Sequence, residues 1–465
     1  MIAELLVDEA KVSREQDKLK ILIAGGSGFI GTRLIRSLSQ SDPAGAEKEI
    51  ICLSRRPQSA SGIKGKNVKT IKCDVTNYED LLNSMFGVDV AYYLVHSMEG
   101  SSKEWKRFSD RDRLAAENFA RAASACSVKR IIYLSGLTHV KDEELSEHMR
   151  SRKEVGEILK GSTAKVTIFR AAVILGQGGG SFKMLQYLVE RLPVMVCPKW
   201  VMTKCQPIAV GDVVEYLTKS LYEKRTVGES FDIGGPDVLT YLEMIHRYGV
   251  IKNKKVRVII IPFLTPRLSS YWIDLVTPVE ASLARPLVDS LVHDATVNED
   301  ESVKKIIPLK LKTFEQSIED TLEDKTLFKR PANEMKARTS KKLNDRILLV
   351  SLFLLAAIGT TYYFLDGRAE ILQALWIILS IMWFLGIAVA IYFVRYGTRL
   401  GALVSGVLGW VTLAFWLMDN FYVVFGSTLI ANSPNMLMTG RNFLGAVIAG
   451  LVITSAHNAF HKIRT

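Results

Sequence analysis

Short apolar runs rich in β-branched residues alternate with amphipathic helical stretches through the first half of the chain. Strands are predicted over 20–24, 49–53, 68–73, 90–95, 130–134 and 165–175, and helices over 29–38, near 78–85, from about 105 to 124 and over 144–159. Apolar strands separated by helices at this spacing predict a parallel sheet covered on both faces. From Gly176 the pattern loosens. Strands over 206–209, 231–233 and 256–261, with helices near 210–221 and 239–249, read as a smaller, partly interleaved lobe, and 264–329 reads as helical and irregular.

After Arg346 the chain turns almost wholly apolar. Candidate spans at 347–365, 371–394, 400–425 and 443–460 each approach or exceed the roughly 20 residues that cross a bilayer core. They lack the polar stripe of a water-soluble bundle, so 347–460 is expected to be a transmembrane region. The formal net charge of +12 has much of its excess in the linker before it: Lys329, Arg330, Lys336, Arg338, Lys341, Lys342 and Arg346, opposed by Glu334 and Asp345. Beside a membrane segment such a cluster contacts anionic lipid headgroups, at about 1 kcal/mol per charge, or simply sets topology. Nucleic acid is the disfavoured partner. Arg395 and Arg399 follow the second span and Lys462 and Arg464 end the chain, whereas the other two loops hold only Arg368 and Arg441. The positive-inside rule then places both termini and the first domain in the cytosol. The polar start, 1–18, lacks the apolar stretch of a secretory signal. Five scattered cysteines, without a Cys-x-x-Cys pair or zinc-ligand spacing, suit reduced thiols and no metal site. Small residues every four positions (Gly401, Ser405, Gly409; Gly445, Ala449) permit close helix approach. Asp419 and Asn420 in the third span read as an interfacial or helix–helix contact, or as a polar ligand site.

The first strand runs directly into Gly25-Gly26-Ser27-Gly28-Phe29-Ile30-Gly31. In a Gly-x-x-Gly-x-x-Gly loop opening a helix, Gly25 permits the tight turn, Gly28 lets backbone approach a pyrophosphate, and Gly31 lets the helix pack on the strand. The second strand ends in Arg55 and Arg56, where an NAD-preferring site carries an acidic residue. Arginine suits a 2′-phosphate, so NADP(H) is expected in preference to NAD(H). Asp74, past the third strand, either meets the adenine amino group or caps a turn.

These features together resemble the short-chain dehydrogenase/reductase superfamily, and within it the atypical, NmrA-like, NAD(P)-binding branch. The resemblance is carried by the glycine loop, Cys73-Asp74-Val75, Tyr92 to Met98, Tyr133 to Leu137, His148 to Arg152 with Glu154-Val155-Gly156, Gln206-Pro207-Ile208 with Asp212-Val213, Phe231 to Pro236, and Ser269 to Trp272. It covers roughly 19–320; the tail resembles no recognised family. It implies an α/β fold, a Rossmann-type doubly wound parallel sheet with a smaller substrate lobe (domain 19–330, core 19–175, lobe 176–330). A basic linker, 331–346, and an α-helical transmembrane bundle of about four helices follow. It also implies that Gly25, Ser27, Gly28, Phe29 and Ile30 wrap the pyrophosphate, that Asp74 and Val75 flank adenine, that Leu94, Val95 and His96 line the ribose, and that Ser135 stands at the place of the catalytic serine.

The chain departs from the family where active members carry a Tyr-x-x-x-Lys pair. The corresponding helix offers His148 and Arg152 at the same i, i+4 spacing, on one helical face. His148 then serves as proton donor, or it and Arg152 bind ribose or an anionic substrate, or both are solvated surface residues. His96 ends a strand at the cofactor-facing edge and is either catalytic or a satisfied structural histidine. Arg170, Gln206 and Trp272 are weaker substrate-lobe candidates. The expected function is a membrane-anchored NAD(P)H-dependent oxidoreductase acting on a quinone, isoprenoid or lipid. The rival is a non-catalytic NADP(H)-binding sensor or assembly module. A cofactor-using isomerase or epimerase is a third reading. Expected partners are an apolar small molecule, membrane lipids, and a second copy or a membrane complex.

Overall fold

A computed structural model describes residues 18–40, 47–55, 65, 67–96, 105–192, 194–261, 292–324, 332–361, 373–396, 398–425 and 436–462. The chain divides into two units, Met1–Ser270 with Ala281–Lys325 and Tyr271–Glu280 with Thr326–Thr465.

In the first unit the chain runs β1 (Leu19–Ala24), α1 (Phe29–Ser39), β2 (Lys48–Ser54), β3 (Val68–Lys72), α2 (Tyr78–Met85), β4 (Val90–Tyr93), α3 (Trp105–Ala125), β5 (Arg130–Gly136), α4 (Glu147–Lys160) and β6 (Lys165–Ala171). It continues through β7 (Ile174–Leu175), α5 (Gly180–Arg191), β8 (Val194–Pro198), β9 (Lys204–Cys205), β10 (Ile208–Ala209), α6 (Val210–Ser220), β11 (Ser230–Ile233), β12 (Leu239–Thr240), α7 (Tyr241–Ile251), β13 (Arg257–Ile261) and α8 (Phe314–Glu323). Seven strands form one sheet in the order β3-β2-β1-β4-β5-β6-β11, with every neighbouring pair parallel. The chain builds outward from β1 to β3, then returns to the other side of β1 with β4, which opens a crevice at the strand ends between β1 and β4.

Alternation along β1 shows why Ile21–Ala24 are all apolar. Leu22 and Ala24 face a core with Tyr93, Phe119 and Tyr133, under α3 and α4. Ile21 and Ile23 face the opposite core with Leu34, Tyr92, Phe169 and Tyr216, under α1 and α6. A strand covered on both faces has no polar side to offer.

The lobe departs most from the predicted pattern. The strand expected over 165–175 breaks into β6 and β7, and β7 pairs with β10 instead of joining the main sheet's edge. The helix expected from 144 begins at Glu147, because the Ser146 side chain caps it by accepting from the Met149 amide at 3.3 Å. Helix α5 lies in the stretch that read as loosened; Phe182, Leu185 and Val189 form its buried stripe at i, i+3 and i+7. Strand β8 pairs in parallel with β13, and β9 pairs antiparallel with β12.

The second unit contains α9 (Ala332–Thr360), α10 (Gln373–Arg395), α11 (Arg399–Phe425) and α12 (Met436–Lys462). Three segments among the described residues, Ile377–Arg395, Arg399–Asp419 and Gly440–His461, are long and apolar enough to cross a membrane. The first predicted span is helical over 347–360, and its end lies outside the described residues. Leu352, Ile387, Trp416 and Val452 pack inward, whereas Ile378, Leu385, Trp410 and Phe443 project apolar surface outward. The predicted small-residue contacts form within this chain. A Cβ on Gly445 would overlap the Trp416 ring, and one on Gly409 would sit 2.9 Å from Ile453. Asp419 accepts a hydrogen bond from the Asn442 amide at 2.5 Å and lies 3.7 Å from Arg441, a polar contact between α11 and α12. The Asn420 side chain lies outside the described residues.

One buried cation ties the sheet to its helices at the start of β5. The Arg130 guanidinium donates to the Thr167 hydroxyl at 2.8 and 3.1 Å, the Ser220 carbonyl at 2.6 Å and the Thr226 hydroxyl at 2.7 Å. Replacing Arg130 with Met strands these acceptors in the core, and the expected loss is about 2–4 kcal/mol. Thermal unfolding of the full chain, followed by circular dichroism, should show the first unit's midpoint lowered by roughly 5–15 °C. An unchanged midpoint would remove Arg130 from any structural role.

Candidate active site

The turn between β1 and α1 is built without side chains. Gly25 adopts a left-handed backbone conformation with φ of 81°. A Cβ there would lie 2.7 Å from the Leu94 carbonyl oxygen, where the chain leaves β4. A Cβ on Gly31 would overlap the Gly25 carbonyl and sit 2.6 Å from the Gly26 Cα, so α1 starts in direct backbone contact with the turn. Gly28 caps α1 with no side-chain hydrogen bond, and the first turn has no acidic residue. The Thr32 hydroxyl donates back to the Gly28 carbonyl at 2.9 Å. Ser27 and Gly28 are exposed, while Phe29 and Ile30 are half-buried. The Phe29 ring packs against Gly176, whose Cβ would meet it at 2.9 Å. A helix N-terminus with no side-chain cap and no first-turn carboxylate fits an anionic diphosphate, because its amides and dipole face outward.

At the end of β2, the Ser54 hydroxyl donates to Ser27 at 3.4 Å and Arg55 is exposed. Arg56 lies outside the described residues. Asp74 accepts from the Thr76 amide at 3.0 Å and the Thr76 hydroxyl at 2.8 Å, closing the turn into α2. Partial burial pushes the Asp74 carboxyl up, but the two Thr76 bonds and the charges of Arg55 and Arg111 outweigh it and hold it below its usual value. Of the two readings of Asp74, its hydrogen bonds display the turn cap. Val75 packs on the core beneath it.

Beyond β4, Leu94, Val95 and His96 are half-buried, and the Leu94 amide donates to the Ala24 carbonyl at 3.0 Å. His96 Nδ1 lies 3.4 Å from an Asp112 carboxylate oxygen on α3. The His96 ring is 4.8 Å from the His148 ring on α4, between centroids. One turn along α4, Arg152 donates to the Leu134 carbonyl at 3.3 Å, while its own carbonyl accepts from the Tyr133 hydroxyl at 3.1 Å and lies 3.5 Å from the Ser135 hydroxyl. The fold therefore brings His96, Ser135, His148 and Arg152 together at one strand edge.

Burial, with the nearby Arg152 charge, lowers His96 to about 4 despite Asp112. Burial, His96 and Arg152 push His148 well below the usual imidazole range. Both rings are neutral at pH 7, so His148 has no ready proton to donate as an imidazolium. Among the described residues, His96 Nε2 and Arg152 Nε are buried atoms with no protein hydrogen-bond partner.

Asp112 was missed by sequence reasoning. Its signal is a carboxylate on an otherwise apolar helix face, with Ala115, Ala116 and Phe119 at i+3, i+4 and i+7, all buried.

Arg170 and Gln206 fall in a separate polar network. Arg170 pairs with Asp232 at 2.7 Å and with Glu301, and His139 Nε2 lies 2.8 Å from Asp232. Donor atoms of His139, Asp232 and Glu301 lie within 4.8 Å of one another. The Arg170 guanidinium bridges the two carboxylates and offsets part of their charge, so the arrangement reads as an ion-pair network. Gln206 donates to the Gly235 carbonyl at 2.7 Å and accepts from the Val297 amide at 2.9 Å, bracing the lobe. Trp272 lies outside the described residues.

Residues 25–187 match a family model described as NAD(P)H-binding. The chain is 30% identical over 133 residues to the auxiliary protein GraX of Staphylococcus aureus, covering 28% of this chain and 40% of that protein. It is 23% identical over 224 residues to the 40 kDa subunit of mitochondrial NADH-ubiquinone oxidoreductase of Neurospora crassa, covering 48% and 57%. It thus spans about half the length of these two relatives. An NmrA-like family domain-containing protein of Dictyostelium discoideum is 22% identical over 255 residues, covering 51% of this chain and 78% of that protein. The structure of an Escherichia coli NADPH-dependent quinone oxidoreductase with NADPH superposes with a TM-score of 0.53 at 19% identity, over 65% of this chain and 99% of that one. At that identity the likeness shows the fold. Together with the parallel sheet and the glycine turn, these matches give the first unit the Rossmann-type fold with an NAD(P)H-binding match over residues 25–187, similar to NmrA-like and short-chain dehydrogenase/reductase proteins.

Proposed function

We propose that the protein is a membrane-anchored oxidoreductase that uses NADP(H) to reduce an apolar acceptor: a quinone, an isoprenoid or a lipid. The observation that carries this reading is the half-buried Arg152 guanidinium, with a buried donor that no atom among the described residues satisfies, beside two neutral imidazoles at the edge beyond the glycine turn. In this reading Gly25, Ser27, Gly28, Phe29, Ile30 and Gly31 hold the diphosphate by backbone. Arg55 and Arg56 hold the 2′-phosphate, Val75 flanks adenine from its place by the Asp74 turn, and Leu94 and Val95 line the ribose. The bound nicotinamide dinucleotide supplies hydride. Arg152 stabilises the negative charge that develops on the acceptor oxygen, an electrostatic contribution that grows where water is excluded. His148, neutral, orients that oxygen through its ring N–H, and Ser135 closes the pocket floor beside Arg152.

The acceptor class is supported by two names among the relatives, an NADH-ubiquinone oxidoreductase subunit and a quinone oxidoreductase. It is also supported by the three apolar helices, which give an apolar substrate a reason to meet this chain at a bilayer. In this reading the first unit and the C-terminus are cytosolic and the 331–346 linker meets anionic headgroups, which the basic residues around the spans support. One observation favours the second reading, a cofactor-binding sensor or assembly module: neither ring is an imidazolium, the stronger acid, at neutral pH.

Two measurements test the proposal. Fluorescence titration of the full chain in detergent should show NADPH bound more tightly than NADH. The double variant Arg55→Ala with Arg56→Ala should weaken NADPH roughly 10–100-fold while moving NADH about 2-fold at most. An unchanged NADPH/NADH ratio overturns the cofactor assignment. NADPH absorbance followed with a panel of quinones and enones should show turnover, and Arg152→Ala should lower kcat/KM about 100-fold. Tight NADPH binding with no turnover on any acceptor sinks the reductase and leaves the sensor.

A further inference from the structure

We propose that Asp112 and His96 form a dyad that handles the substrate proton: Asp112 is a positioning residue that fixes the imidazole tautomer, and His96 Nε2 is the catalytic acceptor for the hydroxyl of the reduced substrate. The inference rests on the hydride-transfer reading and narrows its substrate to an apolar alcohol–carbonyl pair.

An ionised carboxylate only accepts hydrogen bonds. At 3.4 Å from Asp112, His96 Nδ1 is at the outer edge of hydrogen-bond reach, a distance that catalytic contacts commonly show before a ligand tightens them. Facing a carboxylate, Nδ1 carries the proton, which leaves Nε2 as a lone-pair acceptor. Asp112 is 6% exposed and sits on the face of α3 that carries Ala115, Ala116 and Phe119. Its carboxylate is therefore held by packing, not by a mobile surface side chain.

Nε2 is the second observation. It is shielded from solvent and, among the described residues, no protein group donates to it. A buried acceptor without a donor is costly, so such an atom in a cofactor site implies a donor brought by the ligand. The groups beside it exclude several classes of ligand. Arg152 repels a cation, and the His148 ring, 4.8 Å away between centroids, makes no hydrogen bond to Nε2. A ligand hydroxyl supplies the missing donor and, once deprotonated, presents the anionic oxygen that Arg152 attracts.

The step balances as follows. The hydroxyl proton passes to His96 Nε2, the carbinol C–H bond breaks, and its electron pair leaves as hydride to the oxidised dinucleotide. The C–O bond becomes a carbonyl, so the substrate loses two electrons and the dinucleotide gains them. Asp112 pairs with the imidazolium that forms. In the reducing direction, hydride arrives at carbon, Arg152 holds the alkoxide, and a solvent proton taken up at His96 Nε2 passes to that oxygen. The low affinity of His96 for a proton keeps the acceptor form present across the physiological range.

The test joins a spectrum to kinetics, both on the full chain in detergent. Nitrogen-15 histidine spectra should show His96 as the neutral Nδ1–H tautomer between about pH 6 and 8, and Asp112→Asn should move it towards Nε2–H, because an amide can donate to Nδ1. With NADP+ and a panel of apolar secondary alcohols, or NADPH and the matching ketones, Asp112→Asn should lower kcat roughly 100-fold or more. KM and the NADPH Kd should stay within about 2-fold, and Asp112→Glu should recover part of the rate. An Nε2–H tautomer in the parent chain overturns the dyad. So does an Asp112→Asn variant with parental kcat while Arg152→Ala loses turnover, which leaves the reductase reading intact. NADPH binding without turnover of any alcohol, ketone or quinone by the parent overturns both.

Discussion

Between β1 and α1 the chain turns through a space that one methyl group would fill. The Gly25 backbone lies against the Leu94 carbonyl, and Gly31 lies against the Gly25 carbonyl. This contact sets two directions at once. It points the uncapped start of α1 into the crevice between β1 and β4, and it fixes where the chain leaves β4, two residues before His96. A side chain at either glycine would push the helix off the strand and separate the phosphate-facing amides from the imidazole edge. The Rossmann sheet supplies the crevice; the backbone contact holds the glycine turn against the strand end that leads to His96.

The main sheet was legible in the sequence because each core strand is a short apolar run with both faces covered. β1, β2, β3 and β5 fall where runs end in glycine or charge. The glycine turn was legible for the same reason that it is restrictive, since few other residues fit there. His148 and Arg152 were legible as a pair because four residues is one helical turn, and the structure does bring them to one edge with Ser135 and His96. Asp112 was not, because its meeting with His96 depends on how α3 folds back over β4, across residues with no periodic signal. The lobe was only partly legible. Strands of two residues, such as β7, β9, β10 and β12, have no period to read, and the glycines from Gly176 to Gly180 obscured the start of α5.

The second unit shows the same division between local pattern and distant contact. Apolar length alone marks the spans, and small residues at four-residue spacing mark where helices approach, as Gly409 and Gly445 do. The contact of Asp419 with Asn442 and Arg441 joins residues more than 20 positions apart. Read singly, each polar group looks like an expense in lipid. Together they satisfy one another between α11 and α12, and the pairing explains how two ionisable groups sit inside an apolar bundle.

The two inward-facing arginines of the first unit show how structure and chemistry separate. Arg130 and Arg152 both lie on or against β5, at opposite ends. Arg130 spends its donors on two threonine hydroxyls and a carbonyl, all uncharged and all part of the core. That is an arrangement for holding strands and helices together, with no capacity left for a ligand. Arg152 makes one long bond to a carbonyl and leaves Nε without a protein acceptor among the described residues. The two imidazoles near it are kept neutral by burial and by Arg152 itself, so they do not compete for an anion. The carboxylate in the same cluster, Asp112, faces His96 Nδ1 at 3.4 Å. A site that keeps a cation underused, suppresses the competing cations and turns its one carboxylate onto a ring nitrogen is arranged to receive negative charge on an oxygen.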